Sequence, residues 1–306
     1  MVFLCLPTAE EQAKILNNLP YLLVYNPKSG RGKANKVAES LKFEIEALGE
    51  ACKLITGSSR EDALNNLINS VASCKAVIAV GGDGLVNLVI SATIGRNVPI
   101  FVVAAGTGND FYREHFKLRK SLVETIASRS SNTFSVDLAK VEISKEIKHY
   151  GQVLSAGFDS LVNARANSLK FFSGTIKYVI ALFLELPKFR PYSYQINIDG
   201  KIRKFEAMMV IVANGPTYGG GMKVLPMANP ADGLLDVMIL HQVSKFELLK
   251  VFPKVFSGKH ISHKQVEIMR CKNISIHSDA FIYADGEYFG KGNVSVSILP
   301  KALEML

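Results

Sequence analysis

Three short apolar segments in the first third of the 306-residue sequence each end in a glycine-rich or polar loop, and a helical pattern follows each loop. The loops are residues 26–32, 81–84 and 106–110. Strands that are apolar along their whole length and alternate with helices predict a mostly parallel sheet covered by helices. Ligands of such sheets bind outside the carboxyl ends of the strands, so we expect all three loops to open onto one edge.

The residue types in these loops indicate a ligand that carries phosphate. Glycine tolerates positive φ and lets backbone N–H groups approach an anion, and each following helix adds partial positive charge at its N-terminus. No segment matches the G-x-x-x-x-G-K-[ST] phosphate loop, and Gly30-Arg31-Gly32 lacks the third glycine of the dinucleotide fingerprint. Each loop alone also suits a tight turn between strand and helix, but three in succession favour a nucleotide or phosphate site.

After residue 137 the pattern changes to mostly strands. The sequence predicts strands over 139–143, 150–155, 192–198, 202–213, 235–240, 266–271, 273–277, 280–284 and 294–299. Two helical patterns, over 160–186 and 245–256, interrupt them. We therefore expect an α/β domain over 1–137 and a β-rich domain over 138–292, and residues 293–306 are candidates to pack back onto the first domain.

Charge is unevenly distributed along the chain. The net charge is +9, and residues 138–306 carry 21 Lys and Arg against 14 Asp and Glu, a net of +7. No block of Lys and Arg has the length of a nucleic-acid-binding patch, so we expect no nucleic-acid partner. A basic half suits contact with an anionic membrane surface instead.

Cysteine usage and hydropathy favour a cytoplasmic protein. Cys5, Cys52, Cys74 and Cys271 are scattered, with no spacing typical of zinc ligands or of a disulfide framework. The apolar opening is too short for a signal peptide. The apolar segment 171–186 is interrupted by charged residues and is shorter than the roughly 18–20 residues of a membrane span. It predicts a helix that is buried or lies at an interface, with burial favoured.

The loop sequences and three downstream motifs resemble a known enzyme family. The loops read Asn26-Pro27-Lys28-Ser29-Gly30, Gly81-Gly82-Asp83-Gly84 and Gly106-Thr107-Gly108-Asn109-Asp110-Phe111. The downstream motifs are Gly157-Phe158-Asp159, the segment 228–236 and Asp285-Gly286-Glu287. In this order and spacing they are similar to the diacylglycerol kinase catalytic domain, which bacterial diacylglycerol kinases share with related lipid kinases such as sphingosine kinases. The resemblance covers roughly residues 20–300.

This resemblance implies a fold and a nucleotide site. It implies that ATP binds in a cleft between a three-layer α/β/α domain with a mostly parallel sheet and a C-terminal β-sandwich domain. The implied nucleotide-binding positions are Asn26, Thr56, Gly81, Gly82, Asp83, Gly84, Leu85, Asn87, Thr107 and Asn109. The side chains of Thr56, Thr107 and Asn109 suit ribose and phosphate oxygens. Asp83 suits a Mg²⁺ ion or a water on it.

The resemblance implies that Asp285 is the general base, with Glu287 close by. A carboxylate there would accept the proton of the attacking hydroxyl while Mg²⁺ offsets charge on the phosphate. Asp-Gly is also a common hairpin turn, and the residues alone favour that ordinary turn. The resemblance shifts the balance toward catalysis.

A second Mg²⁺ site is also implied by the resemblance. Its ligands would be the Asp232 side chain and the backbone carbonyls of Asn229 and Leu234. This sparse set of oxygen ligands leaves room for waters. The residues alone suit an ordinary turn before a strand equally well. The site would shape the cleft rather than perform the transfer.

We therefore expect an ATP- and Mg²⁺-dependent kinase that transfers the γ-phosphate to the hydroxyl of diacylglycerol or a related long-chain lipid, in peripheral contact with an anionic membrane. Two alternatives stay open. NAD kinases share the Gly-Gly-Asp-Gly motif. The second alternative is a catalytically weak lipid- or nucleotide-binding protein of the same fold. It stays open because Leu88 stands where the family commonly has Glu. A homodimer and the identity of the lipid also stay open.

Overall fold

The computed structural model describes residues 19–106, 108–128, 133–169, 172 and 174–306. The strands of the N-terminal part are β1 (Tyr21–Tyr25), β2 (Cys52–Ile55), β3 (Ala76–Gly81) and β4 (Ile100–Ala104). The helices of this part are α1 (Lys33–Ala47), α2 (Arg60–Val71), α3 (Asp83–Thr93), α4 (Asp110–His115) and α5 (Leu122–Ala127).

These four strands form a parallel sheet in the order β2-β1-β3-β4. Tyr21 pairs with both Cys52 and Ala76, and Val77 pairs with Ile100. Strand β3 is buried along its whole length, as expected for a strand covered on both faces. The helices bury apolar residues in the same core as the strands. The predicted α/β domain with a mostly parallel sheet is therefore confirmed.

The C-terminal part consists mainly of strands. They are β5 (Phe134–Ile143), β6 (Glu146–Tyr150), β7 (Val153–Gly157), β8 (Tyr192–Ile198), β9 (Lys201–Ala213), β10 (Leu235–His241), β11 (Val266–Cys271), β12 (Asn273–His277), β13 (Phe281–Ala284), β14 (Glu287–Lys291) and β15 (Val294–Met305). The helices are α6 (Phe158–Ser168), α7 (Thr175–Glu185) and α8 (Lys245–Val251). Short 3₁₀ segments cover Leu186–Lys188, Phe252–Phe256 and Lys259–Ser262.

Strands β5 to β14 pair antiparallel and form the predicted β-sandwich-like domain around a core of their own. The last strand, β15, belongs to both cores. Val294 and Val296 lie in the core of the sandwich, whereas Leu303 and Met305 lie in the core of the parallel sheet. Met305 also pairs with Ile100 of β4, which joins the two sheets edge to edge. The predicted domain boundary falls inside β5, another strand that contributes to both cores.

Two predicted elements are each interrupted and form two separate elements, and the strands predicted over 139–143 and 294–299 extend over Phe134–Ile143 and Val294–Met305. The strand predicted over 150–155 is interrupted at Gly151 and Gln152, whose N–H groups donate to a carboxylate instead of to a neighbouring strand. The helix predicted over 160–186 is two helices, α6 and α7. Gly174, which directly precedes α7, has φ of 62°, a value that ends regular helix. Among the described residues no helix combines the length and the hydropathy needed to cross a membrane.

Candidate active site

A cleft of about 850 Å³ lies where the carboxyl ends of β1, β3 and β4 face the β-sandwich domain. The parallel sheet contributes the loops that begin at Asn26, Gly82 and Gly106. The second domain contributes Gln152, residues of α7 and the turn between β13 and β14 that carries Asp285. The three loops that the sequence predicts at one edge of the sheet therefore open into a single cleft shared with the second domain.

The glycines of two loops allow a close backbone contact at the floor of this cleft. A Cβ atom on Gly106 would lie 2.5 Å from the Cα of Gly82, which is closer than real Cβ contacts come. Helix α3 begins directly after Gly82, with Asp83 as its first residue. The first N–H groups of a helix have no partner within the helix, so the N-terminus of α3 offers donors and partial positive charge to the cleft.

Two carboxylates and one ammonium group face each other beside this helix. Asp83 Oδ1 accepts a hydrogen bond from the N–H of Phe111 at 3.2 Å, and Asp110 Oδ2 accepts one from the N–H of Gly220 at 2.8 Å. Burial, reinforced by the charge of Asp83, raises the pKa of Asp110. Burial lowers the pKa of Lys177 on α7, and both aspartates act against that shift. The cleft thus holds an acidic pair with a lysine in electrostatic reach.

Asp285 lies in the hairpin turn between β13 and β14, and its carboxylate faces the cleft. Asp285 and Gly286 have φ of 47° and 80°, as in the tight turn that Asp-Gly favours. The carboxylate accepts the N–H of Gly151 at 2.8 Å, Gln152 at 3.1 Å and Val153 at 3.0 Å. Burial raises the pKa of Asp285 to about 7, with Asp83 adding to the rise and the three donors opposing it. The candidate general base is therefore itself a residue of the hairpin turn.

Arg60 of α2 connects the two sides of the cleft. Its Nη1 lies 2.9 Å from Oε1 of Glu287 and donates to the carbonyl oxygen of Gly84 at 2.8 Å. Its Nη2 donates to Oδ1 of Asn87 at 3.1 Å. Burial raises the pKa of Glu287, and the Arg60 charge acts against that rise. Glu287 is thus an ion-pair partner that positions the Asp285 turn.

Most positions of the predicted nucleotide site line the cleft. They are Asn26, Gly81, Gly82, Asp83, Gly84 and Leu85, together with Asp285 and Glu287. Thr56, Asn87 and Asn109 do not line it. Both ends of the Asn87 amide are engaged, one by Arg60 and one by the carbonyl oxygen of His149 at 3.1 Å. The Asn109 side chain instead closes its own loop through two hydrogen bonds with Gly106, and Thr107 lies outside the described residues.

Comparison with known proteins adds to this geometry. Residues 20–141 match the diacylglycerol kinase catalytic domain, and residues 152–306 match the YegS C-terminal NAD kinase beta sandwich-like domain. A diacylglycerol kinase from Mycobacterium tuberculosis is 33% identical over 92% of this chain and 93% of its own length. The chain belongs to the diacylglycerol kinase family. The prediction that it is an enzyme of the kinase class is confirmed.

Other members of the diacylglycerol kinase family are similar along nearly the whole chain. A diacylglycerol kinase from Bacillus subtilis is 24% identical over 88% of this chain and 89% of its own length. The solved structure of a diacylglycerol kinase from Bacillus anthracis Sterne superposes with a TM-score of 0.68 at 17% identity, covering 94% of this chain and 96% of that chain. The two-domain fold is thus shared with this family.

The turn at residues 229–234, which is predicted to hold a second Mg²⁺, lies away from the cleft. The carboxylate of Asp232 is paired with the guanidinium of Arg270, whose Nε also lies 3.2 Å from Oδ1 of the buried Asp236. The other oxygen of Asp232 accepts the N–H of Leu234 at 3.1 Å. A guanidinium thus contacts the carboxylate that the prediction assigns to Mg²⁺. Among the described residues no group of three or more His, Cys, Asp or Glu is arranged to hold a metal.

Several cleft residues are absent from the sequence-based site. Arg60, Lys177, Tyr178 and Tyr218 all line the cleft, but they lie outside the glycine-rich motifs. Lys177 and Tyr178 belong to the apolar segment predicted to be a helix, with burial favoured, and Lys177 is one of only two charged residues in that segment. The contact of Arg60 with Glu287 joins residues more than 200 positions apart, for which no local pattern exists.

Proposed function

We propose that this member of the diacylglycerol kinase family transfers the γ-phosphate of ATP to the hydroxyl of diacylglycerol or a closely related long-chain lipid. The observation that carries the proposal is the carboxylate of Asp285, which is held by three backbone N–H groups in a cleft shared with the N-terminus of α3. A fixed carboxylate beside a site for phosphate is the minimum that phosphoryl transfer to an alcohol requires, because alignment and charge stabilisation supply most of the rate.

Asp285 would act as the general base. The acceptor hydroxyl donates its proton to the carboxylate while the hydroxyl oxygen bonds to the γ-phosphorus, and the bond to the bridging oxygen breaks to release ADP. A pKa of about 7 suits this role, because a large fraction of such a group is ionised near neutral pH and the carboxylate is still basic enough to accept a proton. The ion pair of Glu287 with Arg60 would hold the turn that carries Asp285 against the nucleotide side.

The phosphate groups would bind at the floor of the cleft. Backbone donors at the N-terminus of α3 and the ammonium of Lys177 offer positive charge there. The carboxylates of Asp83 and Asp110 are hard oxygen donors that fit Mg²⁺, which would be held with the phosphates. When bound, Mg²⁺ supplies neutralisation of the phosphate charge. We assign this role to Asp83 and Asp110, which line the cleft, and the second Mg²⁺ predicted at the Asp232 turn would lie away from the transferred phosphate.

Two other functions are tested together with this one. The resemblance of residues 152–306 to an NAD kinase-like sandwich favours NAD as an alternative acceptor. Leu88, which lines the cleft and carries no carboxylate, favours a protein that binds its ligands with little turnover. An NAD kinase and a weakly catalytic nucleotide-binding protein would both bind ATP in the cleft, so nucleotide binding alone does not separate them from a lipid kinase.

The test is a transfer assay with purified protein, [γ-³²P]ATP and Mg²⁺. Parallel reactions contain mixed micelles of diacylglycerol, ceramide or sphingosine, or NAD in solution. We expect label in the diacylglycerol product, which mass spectrometry identifies. Label in NADP⁺ alone would establish the NAD kinase alternative. ATP binding without label in any acceptor would establish the weakly catalytic alternative.

A further inference from the structure

The outward side of α7 is as apolar as its packed side. Its packed side buries Tyr178, Ala181, Leu182 and Glu185. On the opposite side Ile176, Phe183 and Leu184 are 62%, 56% and 52% exposed. A surface helix of a globular protein normally carries polar residues on its solvent side, and a helix that is apolar all round is normally covered. The exposed apolar side of α7 therefore indicates a site that binds an apolar partner.

A neighbouring element extends this apolar surface. The Lys245 Nζ donates to the carbonyl oxygen of Pro187 at 3.2 Å, which places the start of α8 against the end of α7. The next residue, Phe246, is 80% exposed. At the other end of α7, Phe172 is also exposed. We call the set formed by Phe172, Ile176, Phe183, Leu184 and Phe246 the α7 surface.

Basic residues border the α7 surface. Lys188 and Arg190 directly follow α7 and are exposed, and Lys245 lies at the start of α8. The acidic Glu185 is buried and paired with Arg165 and Lys188, so its charge is offset. An apolar face with a cationic border matches the boundary between the acyl chains and the headgroups of an anionic membrane.

The α7 surface also adjoins the cleft. Lys177 and Tyr178, on the same helix, line the cleft that contains Asp285. A bilayer in contact with the α7 surface would therefore lie beside the place where a lipid hydroxyl has to enter. Water-soluble ATP needs no such surface, whereas a lipid with two acyl chains does.

We propose that the α7 surface docks this protein on a lipid bilayer, with Phe183 and Phe246 inserted at the boundary between headgroups and acyl chains. The proposal rests on the proposed lipid kinase function. A second copy of the chain is a poorer occupant. At roughly 200 Å² for a large apolar residue, the exposed parts of the five residues amount to about 600 Å², less than the roughly 800 Å² per partner that a stable protein interface buries.

The experiment compares vesicle binding of the wild-type chain and the double variant Phe183→Ser with Phe246→Ser. Vesicles of phosphatidylcholine and phosphatidylglycerol are floated with each protein at about 0.1 M and about 1 M salt. We expect the variant to bind about tenfold or more weakly at both salt concentrations. We expect the wild type to retain part of its binding at high salt, because apolar insertion is not screened. Unchanged binding of the variant would overturn the proposal.

A matched control removes an exposed phenylalanine elsewhere. Phe43 on α1 is 75% exposed and lies on the N-terminal domain, so Phe43→Ser should bind vesicles as the wild type does. Thermal melting confirms that each variant is folded, and Ile176→Ser is a second probe if the double variant is not. If the double variant lowers the solution mass from dimer to monomer and leaves vesicle binding intact, a second copy is the occupant and the proposal fails.

A separate arm distinguishes failure of docking from failure of the proposed function. Neither Phe183 nor Phe246 lines the cleft, so kcat/KM for a short-chain diacylglycerol dispersed as monomers should be the same in the double variant and the wild type. Activity on diacylglycerol embedded in vesicles should fall in proportion to binding. Absence of phosphorylation by the wild type would refute the kinase proposal, whereas flotation would still report on the surface.

Discussion

The guanidinium of Arg60 lies 2.9 Å from Oε1 of Glu287 and bonds the carbonyl oxygen of Gly84 at the N-terminus of α3. One side chain from the first domain thus ties the turn that carries Asp285 to the loop that faces the phosphates. Both partners of the ion pair are partly exposed, so the pair adds little to the free energy of unfolding. Its main effect should be on the relative position of the two sides of the cleft.

This relationship predicts coupling in activity between Arg60 and Glu287. Arg60→Gln and Glu287→Gln should each lower kcat/KM for lipid phosphorylation about tenfold, and the double variant should be little worse than either one. A double-mutant cycle in kcat/KM measures this. The exposed pair Arg203 and Glu267, which lies outside the cleft, is the matched control and should show no effect. Additive losses at Arg60 and Glu287 would contradict the positioning role.

The pKa of Asp285 predicts how activity depends on pH. Its pKa is raised to about 7, so the carboxyl is protonated below that pH and cannot accept the hydroxyl proton. Measured as kcat/KM for ATP, which reports the groups of the free enzyme, activity should fall about tenfold per pH unit below about pH 7 and level off above it. Because the charge of Asp83 raises this pKa, residual activity of Asp83→Asn should have its midpoint at lower pH. A flat profile through pH 7 would exclude Asp285 as the titrating base.

The close contact between Gly82 and Gly106 predicts that position 106 does not tolerate a larger residue. In Gly106→Ala the new Cβ would meet the Cα of Gly82 at 2.5 Å, which forces apart the two loops at the floor of the cleft. ATP binding measured by calorimetry should weaken about tenfold or more. Gly49→Ala is the control, because a Cβ there meets no atom within 4 Å and the only cost is the backbone strain of its positive φ of 80°. Equal effects of the two substitutions would count against loop contact as the cause.

Arg270 predicts that the turn around Asp232 is stable without a divalent cation. Removing divalent ions with EDTA should leave the melting temperature of the wild type unchanged in the absence of ATP. Arg270→Ala should lower the free energy of unfolding by about 1–2 kcal/mol, because buried Asp236 then lacks its cationic neighbour. A melting temperature that drops with EDTA and returns with Mg²⁺ would show a metal at this turn instead.

Local patterns in the sequence were enough to predict the parallel sheet and its loops. Apolar strands and the glycines that follow them are properties of a few neighbouring residues. The break at Gly151 was not visible in the same way, because the acceptor of its N–H is Asp285, which is 134 residues away. The apolar pattern over 160–186 also predicted one continuous helix. It did not show that the chain breaks into two helices before Thr175, where Gly174 has a positive φ.

Only the site residues that belong to short sequence motifs could be predicted. Asp83 and Asp285 stand in recognisable short motifs, and both line the cleft. Asn87 also stands beside a motif, but its amide forms hydrogen bonds with Arg60 and with the backbone of β6. The motif could not predict these contacts, because the partners lie 27 and 62 residues away along the chain. Arg60 itself has no sequence signature, because its role comes from the way in which the two domains meet.

The most direct test is phosphoryl transfer from [γ-³²P]ATP to diacylglycerol in mixed micelles by the wild type and Asp285→Asn, with ATP affinity measured for both. We expect labelled phosphatidic acid from the wild type. We also expect a loss of about 10²–10⁴-fold in kcat for the variant, with unchanged ATP affinity. Transfer that continues at the wild-type rate in Asp285→Asn, or no transfer by the folded, ATP-binding wild type, would contradict these expectations.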